Sequence, residues 1–145
     1  MPVWFRRFRM EFDLQCRSIP ELEPPARYEL LPWQDSLLEA HAGVKLQSFL
    51  DGSDSAVFPS LGHEEGCHRL MQDIATREGF LPGCCWLAVL VETGANRQSP
   101  CGTIQAIRGD GLTGAIQNVG IVPEHRGRGI GTRLVYAALQ GMRTA

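Results

Sequence analysis

Apolar and charged residues alternate through residues 3–14, where Phe8, Met10, Phe12 and Leu14 interleave with Arg7, Arg9, Glu11 and Asp13. A period of two is that of a half-buried strand. The pattern therefore predicts a strand-like extension over residues 1–16, with those four apolar side chains facing a core. Three prolines and two glutamates then fall between Ser18 and Pro25, which predicts a linker over residues 17–25 and a main domain over residues 26–145. Tyr28, Leu30 and Leu31 mark a second short extended run. The period then lengthens, as Leu38, Ala42, Leu46, Phe49 and Leu50 recur at helical spacing after Ser36-x-x-Glu39, a sequence suited to a capping box. Asp51-Gly52-Ser53 interrupts it. A second helix is expected over about residues 63–78, striped by Cys67, Leu70, Met71, Ile74 and Ala75 and ended by Gly79.

Three β-like runs follow, at residues 86–92, 101–108 and 113–122, with turn residues at Gly94-Ala95-Asn96 and Gly109-Asp110-Gly111. Connections this short favour an antiparallel meander, because parallel neighbours need a longer crossover. Ile130, Leu134, Ala138 and Met142 mark one face of a final helix. The order is strand, two helices, three strands, helix. That order predicts an α/β fold with a largely antiparallel sheet flanked by helices.

Composition narrows the function classes. The 145 residues, 43% hydrophobic, are enough for one domain with a real core. The longest apolar run, residues 86–91, is too short to span a bilayer. Arg6, Arg7 and Arg9 are not followed by an apolar signal core. A cytoplasmic location and no membrane partner are expected. The net charge of −2 gives no general attraction for nucleic acid. Arg126, Arg128 and Arg133 nevertheless surround a glycine cluster, and a concentrated cationic spot suits a small anionic ligand better than a polymer.

The five cysteines form an odd set with no CxxC, which reads as reduced thiols, several of them buried as small apolar groups. His63, Cys67, His68 and the adjacent Cys84-Cys85 lack the separated ligands of a tetrahedral zinc site. Asp51-Gly52-Ser53 lacks the glycine position and bidentate glutamate of a calcium loop. No metal is expected.

The stretch that carries chemistry runs from Asn118 to Val135, where a strand ends at Pro123, a basic glycine loop follows and a helix begins. Glycine lets backbone approach a ligand closely. Unpaired N–H groups in the first helical turn, with the positive end of the helix dipole, form an anion site. The dipole contributes about 0.3–1 kcal/mol, and each charge-assisted hydrogen bond about 1.5–3 kcal/mol. Several N–H donors therefore outweigh the dipole, and Arg126 and Arg128 can add charge. Phosphate or pyrophosphate is the expected ligand. A Walker loop would need a lysine before Thr132, and a dinucleotide fold would need G-x-G-x-x-G and an acidic residue about twenty positions on. Neither pattern is met.

The run Arg126-Gly127-Arg128-Gly129-Ile130-Gly131 instead resembles the acetyl-CoA signature Q/R-x-x-G-x-G/A of the GNAT superfamily of N-acetyltransferases, with Arg126, Gly129 and Gly131 at its defined positions. Ile121-Val122-Pro123 resembles the family's strand end, and the element order over about residues 27–142 is similar to its topology. The resemblance implies a GNAT-like (acyl-CoA N-acyltransferase) sheet and acetyl-CoA as co-substrate. It implies that backbone groups at Val119 and Ile121 pair with the pantetheine arm. The stretch Arg126, Gly127, Arg128, Gly129, Ile130, Gly131 and Thr132 would hold the pyrophosphate. The acceptor implied is a primary amine, on a small molecule or a protein.

Family members continue past this helix with further strands and with a helix that often carries a tyrosine acid. No residue here matches that tyrosine, so a fold incomplete at its C-terminal end is expected. No catalytic residue is assigned, Glu92 and Gln117 being base candidates without further support. His125 is expected exposed on the loop, and Tyr136 packed or solvated. Two other classes fit the same residues: a non-catalytic acyl-CoA-binding module, and an interaction domain or homodimer that pairs through an open sheet edge.

Overall fold

A computed structural model describes residues 2–94 and 97–145 of the chain; Ala95 and Asn96 of the first expected turn lie outside the described residues. Four strands, β1 (Tyr28–Pro32), β2 (Trp86–Glu92), β3 (Arg97–Arg108) and β4 (Gly114–Ile121), form one sheet in the order β1-β2-β3-β4. Every neighbouring pair is antiparallel. β2 covers the expected residues 86–92. β3 starts earlier than its apolar run, because Arg97, Gln98, Ser99 and Pro100 pair with the far end of β2 through the backbone, which hydrophobicity does not mark.

Alternation along the strands feeds two apolar layers. On one face Ala88, Ile104 and Ala106 pack with Ile130, Leu134 and Ala138 of the helix α4 (Ile130–Thr144). On the other, Leu87 and Val89 meet Val44 of α1 (Leu38–Phe49). Ala42 of α1 packs with Cys67 and Met71 of a further helix, Glu64–Thr76. A short helix α2 (Ser53–Val57) and a 3₁₀ turn, Pro59–Gly62, connect the two, so Glu64–Thr76 is α3. Both connecting pieces are too short to carry a period and were not foreseen. Cys84 joins the α4 layer while Cys85 joins the α1–α3 layer.

Three expectations are corrected. Residues 2–13 form no strand, and Phe8 and Met10 are each 91% exposed. Alternation supplies a face but no partner, and β1 pairs only with β2; a strand without a hydrogen-bonded neighbour is not stable in water. Side chains tether the arm instead, Arg7 to Asp54 at 2.9 Å and Arg143 to the Leu14 carbonyl. Second, the Ser36–Glu39 capping box does not form. Ser36 lies inside a 3₁₀ turn, Asp35–Leu37, and Leu37 caps α1 without a side-chain bond. Third, α3 ends at Thr76, with Arg77 already extended, rather than running to about Glu78.

Residues 17–25 lie along the outer side of α4. Gln140 donates to the Ile19 carbonyl at 3.2 Å and Arg133 to the Glu23 carbonyl at 2.6 Å. Among the described residues no helix is long and apolar enough to cross a membrane.

Candidate functional site

β4 is an edge strand, and its pairing decides which backbone groups it shows. Val122 N–H donates to the Cys101 carbonyl at 2.9 Å, so Val122 and alternate residues before it turn their polar groups toward β3. Val119 and Ile121 therefore turn theirs outward, away from β3. Arg126 Nε, donating to the Ile121 carbonyl at 2.9 Å, confirms that direction.

After β4 the chain makes a 3₁₀ turn at Pro123–His125 and enters the glycine loop. Gly127 and Gly129 have φ of 77° and 78°, a left-handed conformation that costs an L residue roughly 1–2 kcal/mol. Gly129 is the N-cap of α4 and has no side chain to spend on the free N–H groups. The first helical bond from this end is Arg133 N–H to Gly129 O. The N–H groups of Ile130, Gly131 and Thr132 consequently have no partner within the helix.

The loop and the edge meet in an open cleft of about 350 Å³ lined by Val119, Gly131, Thr132, Val135 and Tyr136. Thus Val119 and the first turn of α4 share one wall. The side chains of Ile121 and Ile130 pack into the core, leaving only their backbone for a ligand.

The arginines behave differently from one another. Arg126 gives Nε to Ile121 O and Nη2 to Ser48 O, the latter at 2.8 Å. It staples β4 to the last turn of α1; the planar guanidinium suits two carbonyls at fixed spacing. Arg133 binds Gly129 O at 3.0 Å and reaches Glu23. Arg128 is exposed.

His125 is also not simply exposed. It is half-buried, its Nδ1 2.8 Å from Tyr28 Oη and its ring edge-on to that tyrosine, which anchors the loop to β1. Tyr136 is half-buried on the cleft wall. Of the two base candidates, Gln117 is on β4 two residues from Val119. Glu92 is not brought near, because Val119 pairs with Ile104 and Ile104 with Trp86. Six residue steps along β2 then separate Trp86 from Glu92, roughly 20 Å.

Sequence reasoning missed a polar network on the opposite face of β3 and β4. His41, Lys45, Thr103 and Gln105 are all fully buried there. Gln105 Nε2 donates to Thr103 Oγ1 at 2.6 Å, so the threonine hydroxyl hydrogen turns to His41 Nδ1, 2.7 Å away. Gln105 Nε2, a donor, is also 3.2 Å from His41 Nδ1, so Nδ1 accepts and the neutral ring carries its proton on Nε2, which finds no partner among the described residues. Burial first, and the Lys45 charge second, push His41 down to about 3. Lys45 Nζ donates to Gln105 Oε1 and to Asn118 Oδ1, the latter at 2.9 Å. Burial pulls Lys45 down to about 7, partly opposed by Cys85 and Cys67. The available signal was the helical spacing of His41, Lys45 and Ser48, three polar residues on one buried face of α1.

Known proteins agree with this architecture. A proposed acetyltransferase from Pyrococcus horikoshii is 16% identical over 86% of this chain, with a TM-score of 0.59. The GCN5-related N-acetyltransferase from Sphaerobacter thermophilus is 21% identical over 89%, with a TM-score of 0.57. PH1933 from Pyrococcus horikoshii OT3 is 13% identical over 81%, with a TM-score of 0.55. At these identities the likeness is one of fold. The chain spans 38% and 36% of the first two proteins and 72% of the third. No curated protein matches it. Residues 49–145, more than half of the chain, match the acetyltransferase (GNAT) family, and the chain belongs to that family.

Proposed function

We propose that the chain binds acetyl-CoA in the cleft between β4 and α4 and serves transfer of the acetyl group to a primary amine. The observation that carries this reading is the convergence of three features: the left-handed Gly127 and Gly129, the unpartnered N–H groups opening α4, and the outward backbone of Val119 on the same wall. The N–H groups of Ile130, Gly131 and Thr132 receive the pyrophosphate, with Arg128 adding charge. Gly127 has nothing within 4 Å of where a Cβ would stand, so phosphates have room there. Arg126 serves by fixing the loop and strand, and the N–H and C=O of Val119 pair with the amides of the pantetheine arm, joined by the N–H of Ile121.

In the transfer a neutral amine nitrogen attacks the thioester carbon, the C–N bond forms, the C–S bond breaks, and the proton shed by the nitrogen ends on the departing thiolate, directly or through water. A backbone N–H at the strand edge polarises the thioester carbonyl as charge develops on oxygen. The acceptor is an amine of a small molecule or a protein.

The test is calorimetry of CoA with the native chain and with Gly129→Glu. A Cβ at Gly129 would stand 2.5 Å from Arg133 Nη1 and at a φ of 78°, with the added carboxylate facing the phosphates. Binding should be abolished, and unchanged affinity would overturn the reading. Release of free thiol in the presence of amines then separates a transferase from a module that only binds.

The outer edge of β4 has no strand partner among the described residues. Self-association through that edge is a second reading, which light scattering checks.

A further inference from the structure

Lys45 is a long cation from α1 buried under the sheet, and what it touches is a single cross-strand pair. Gln105 of β3 faces Asn118 of β4, and both side-chain oxygens accept from Lys45 Nζ. The next pair is Ala106 with Ile116, so the register shifts at this point and Gln117 is the extra residue of a β-bulge. Side-chain directions agree: Ile116 packs toward α4, Asn118 toward α1, and Val119 into the cleft on the α4 side. A bulge bends its strand and leaves the ladder locally incomplete. The register of β4 beyond it, and hence the direction of the Val119 backbone groups, needs something to hold it.

The rest of the network points the same way. Gln105 cannot turn its amide over, because its Nε2 donor would then face the Lys45 Nζ donor. Its oxygen is therefore committed to Lys45. Among the described residues no carboxylate bridges to Lys45, and the titratable groups around it are His41 on α1, Cys67 on α3 and Cys85 before β2. Two amide oxygens are all that receive the ammonium. Burying the charged form on such terms costs stability rather than adding to it, and the bonds it makes lie at the bulge next to the cleft.

Building on the proposed binding of acetyl-CoA, we infer that Lys45 is a positioning residue for the pantetheine side of the cleft, clamping Gln105 to Asn118 so that the bulge sets Val119 outward at the strand edge. The phosphate side does not touch this clamp, since its N–H groups belong to α4 and its loop is held by the Arg126 bonds to Ile121 and Ser48 and by the His125 bond to Tyr28. Lys45 therefore acts on one half of the ligand only.

The experiment compares two ligands by calorimetry: acetyl-CoA, and the diphosphate fragment of CoA that lacks the pantetheine arm. In Lys45→Met the acetyl-CoA affinity should fall about tenfold, the scale of one charge-assisted hydrogen bond, with the fragment's affinity unchanged. Asn118→Leu removes the same clamp from the strand side and should reproduce the selective loss, so the test does not depend on one variant folding. Amide exchange at Ile104 and Leu134 verifies the fold in each. Equal loss for both ligands, or no loss for either, overturns the role of Lys45. A native chain that binds neither ligand overturns the binding reading itself, and does so before any variant is made.

Discussion

Replacing Lys45 by methionine should remove a pH dependence of stability that the native chain carries. Burial takes Lys45 from 10.5 to about 7. At about 1.36 kcal/mol per pH unit, the buried charged form is then disfavoured by about 4–5 kcal/mol. Between pH 7 and 10.5 the unfolded chain holds a proton that the folded chain lacks, so stability rises with pH in that window. The slope approaches about 1.4 kcal/mol per unit. Buried thiols work the other way from about pH 9: burial raises Cys67, and takes Cys84 and Cys101 to about 11 and Cys85 to about 12. The folded chain keeps those protons while the unfolded chain loses them. His41, held neutral down to about 3, has made its full contribution above pH 6.5.

The thiols already offset much of the Lys45 effect as pH nears 9, so the visible rise lies mainly between pH 7 and 8 and amounts to about 1 kcal/mol. Lys45→Met should be flat there. At pH 7 the variant should be close to the native stability, since loss of the buried charge offsets the Gln105 oxygen left unpaired, itself about 1–3 kcal/mol. Urea titrations of both proteins at pH 7, 8 and 9, with thiols kept reduced, measure this. Equal slopes in the two proteins would refute the reasoning.

Gly141→Ala should destabilise by about 1–3 kcal/mol as an overpacked contact, because a Cβ there would overlap the Gly83 carbonyl and press on Cys84 Sγ; calorimetric melting checks it. Tyr28→Phe should cost about 0.5–1.5 kcal/mol and speed amide exchange through Arg126–Gly129, since the loop loses its bond to His125. Unchanged exchange would show that the tyrosine does not anchor the loop.

The meander was legible because its strands alternate between two packed faces and its turns are short. The glycine loop was legible because Gly127 and Gly129 occupy backbone conformations that other residues avoid. Residues 3–14 were misread for a complementary reason: their period is correct for a strand, but pairing is a tertiary property and no edge receives them. Ser36 has the chemistry of a helix cap and sits one residue inside a 3₁₀ turn instead. The role of Arg126 was hidden because the carbonyls that capture it, Ile121 and Ser48, are 5 and 78 positions away in sequence. Lys45 and His41 were invisible to a hydrophobic period, which counts every polar residue as solvent-facing.

Cys84 and Cys85 are neighbours in sequence that face opposite layers, with Cys101 beside the first and Cys67 beside the second. All four are inaccessible, while Cys16 is exposed. A thiol-labelling reagent should therefore find one site at once and the remaining sites only as the molecule opens. Labels arriving together at all four would mean that both layers come apart in one event. Cys84 and Cys101 labelled ahead of Cys67 and Cys85 would mean that α4 lifts off while α1 and α3 stay in place. The two halves of the core thus carry separate clocks, set side by side in the chain and readable by peptide mass.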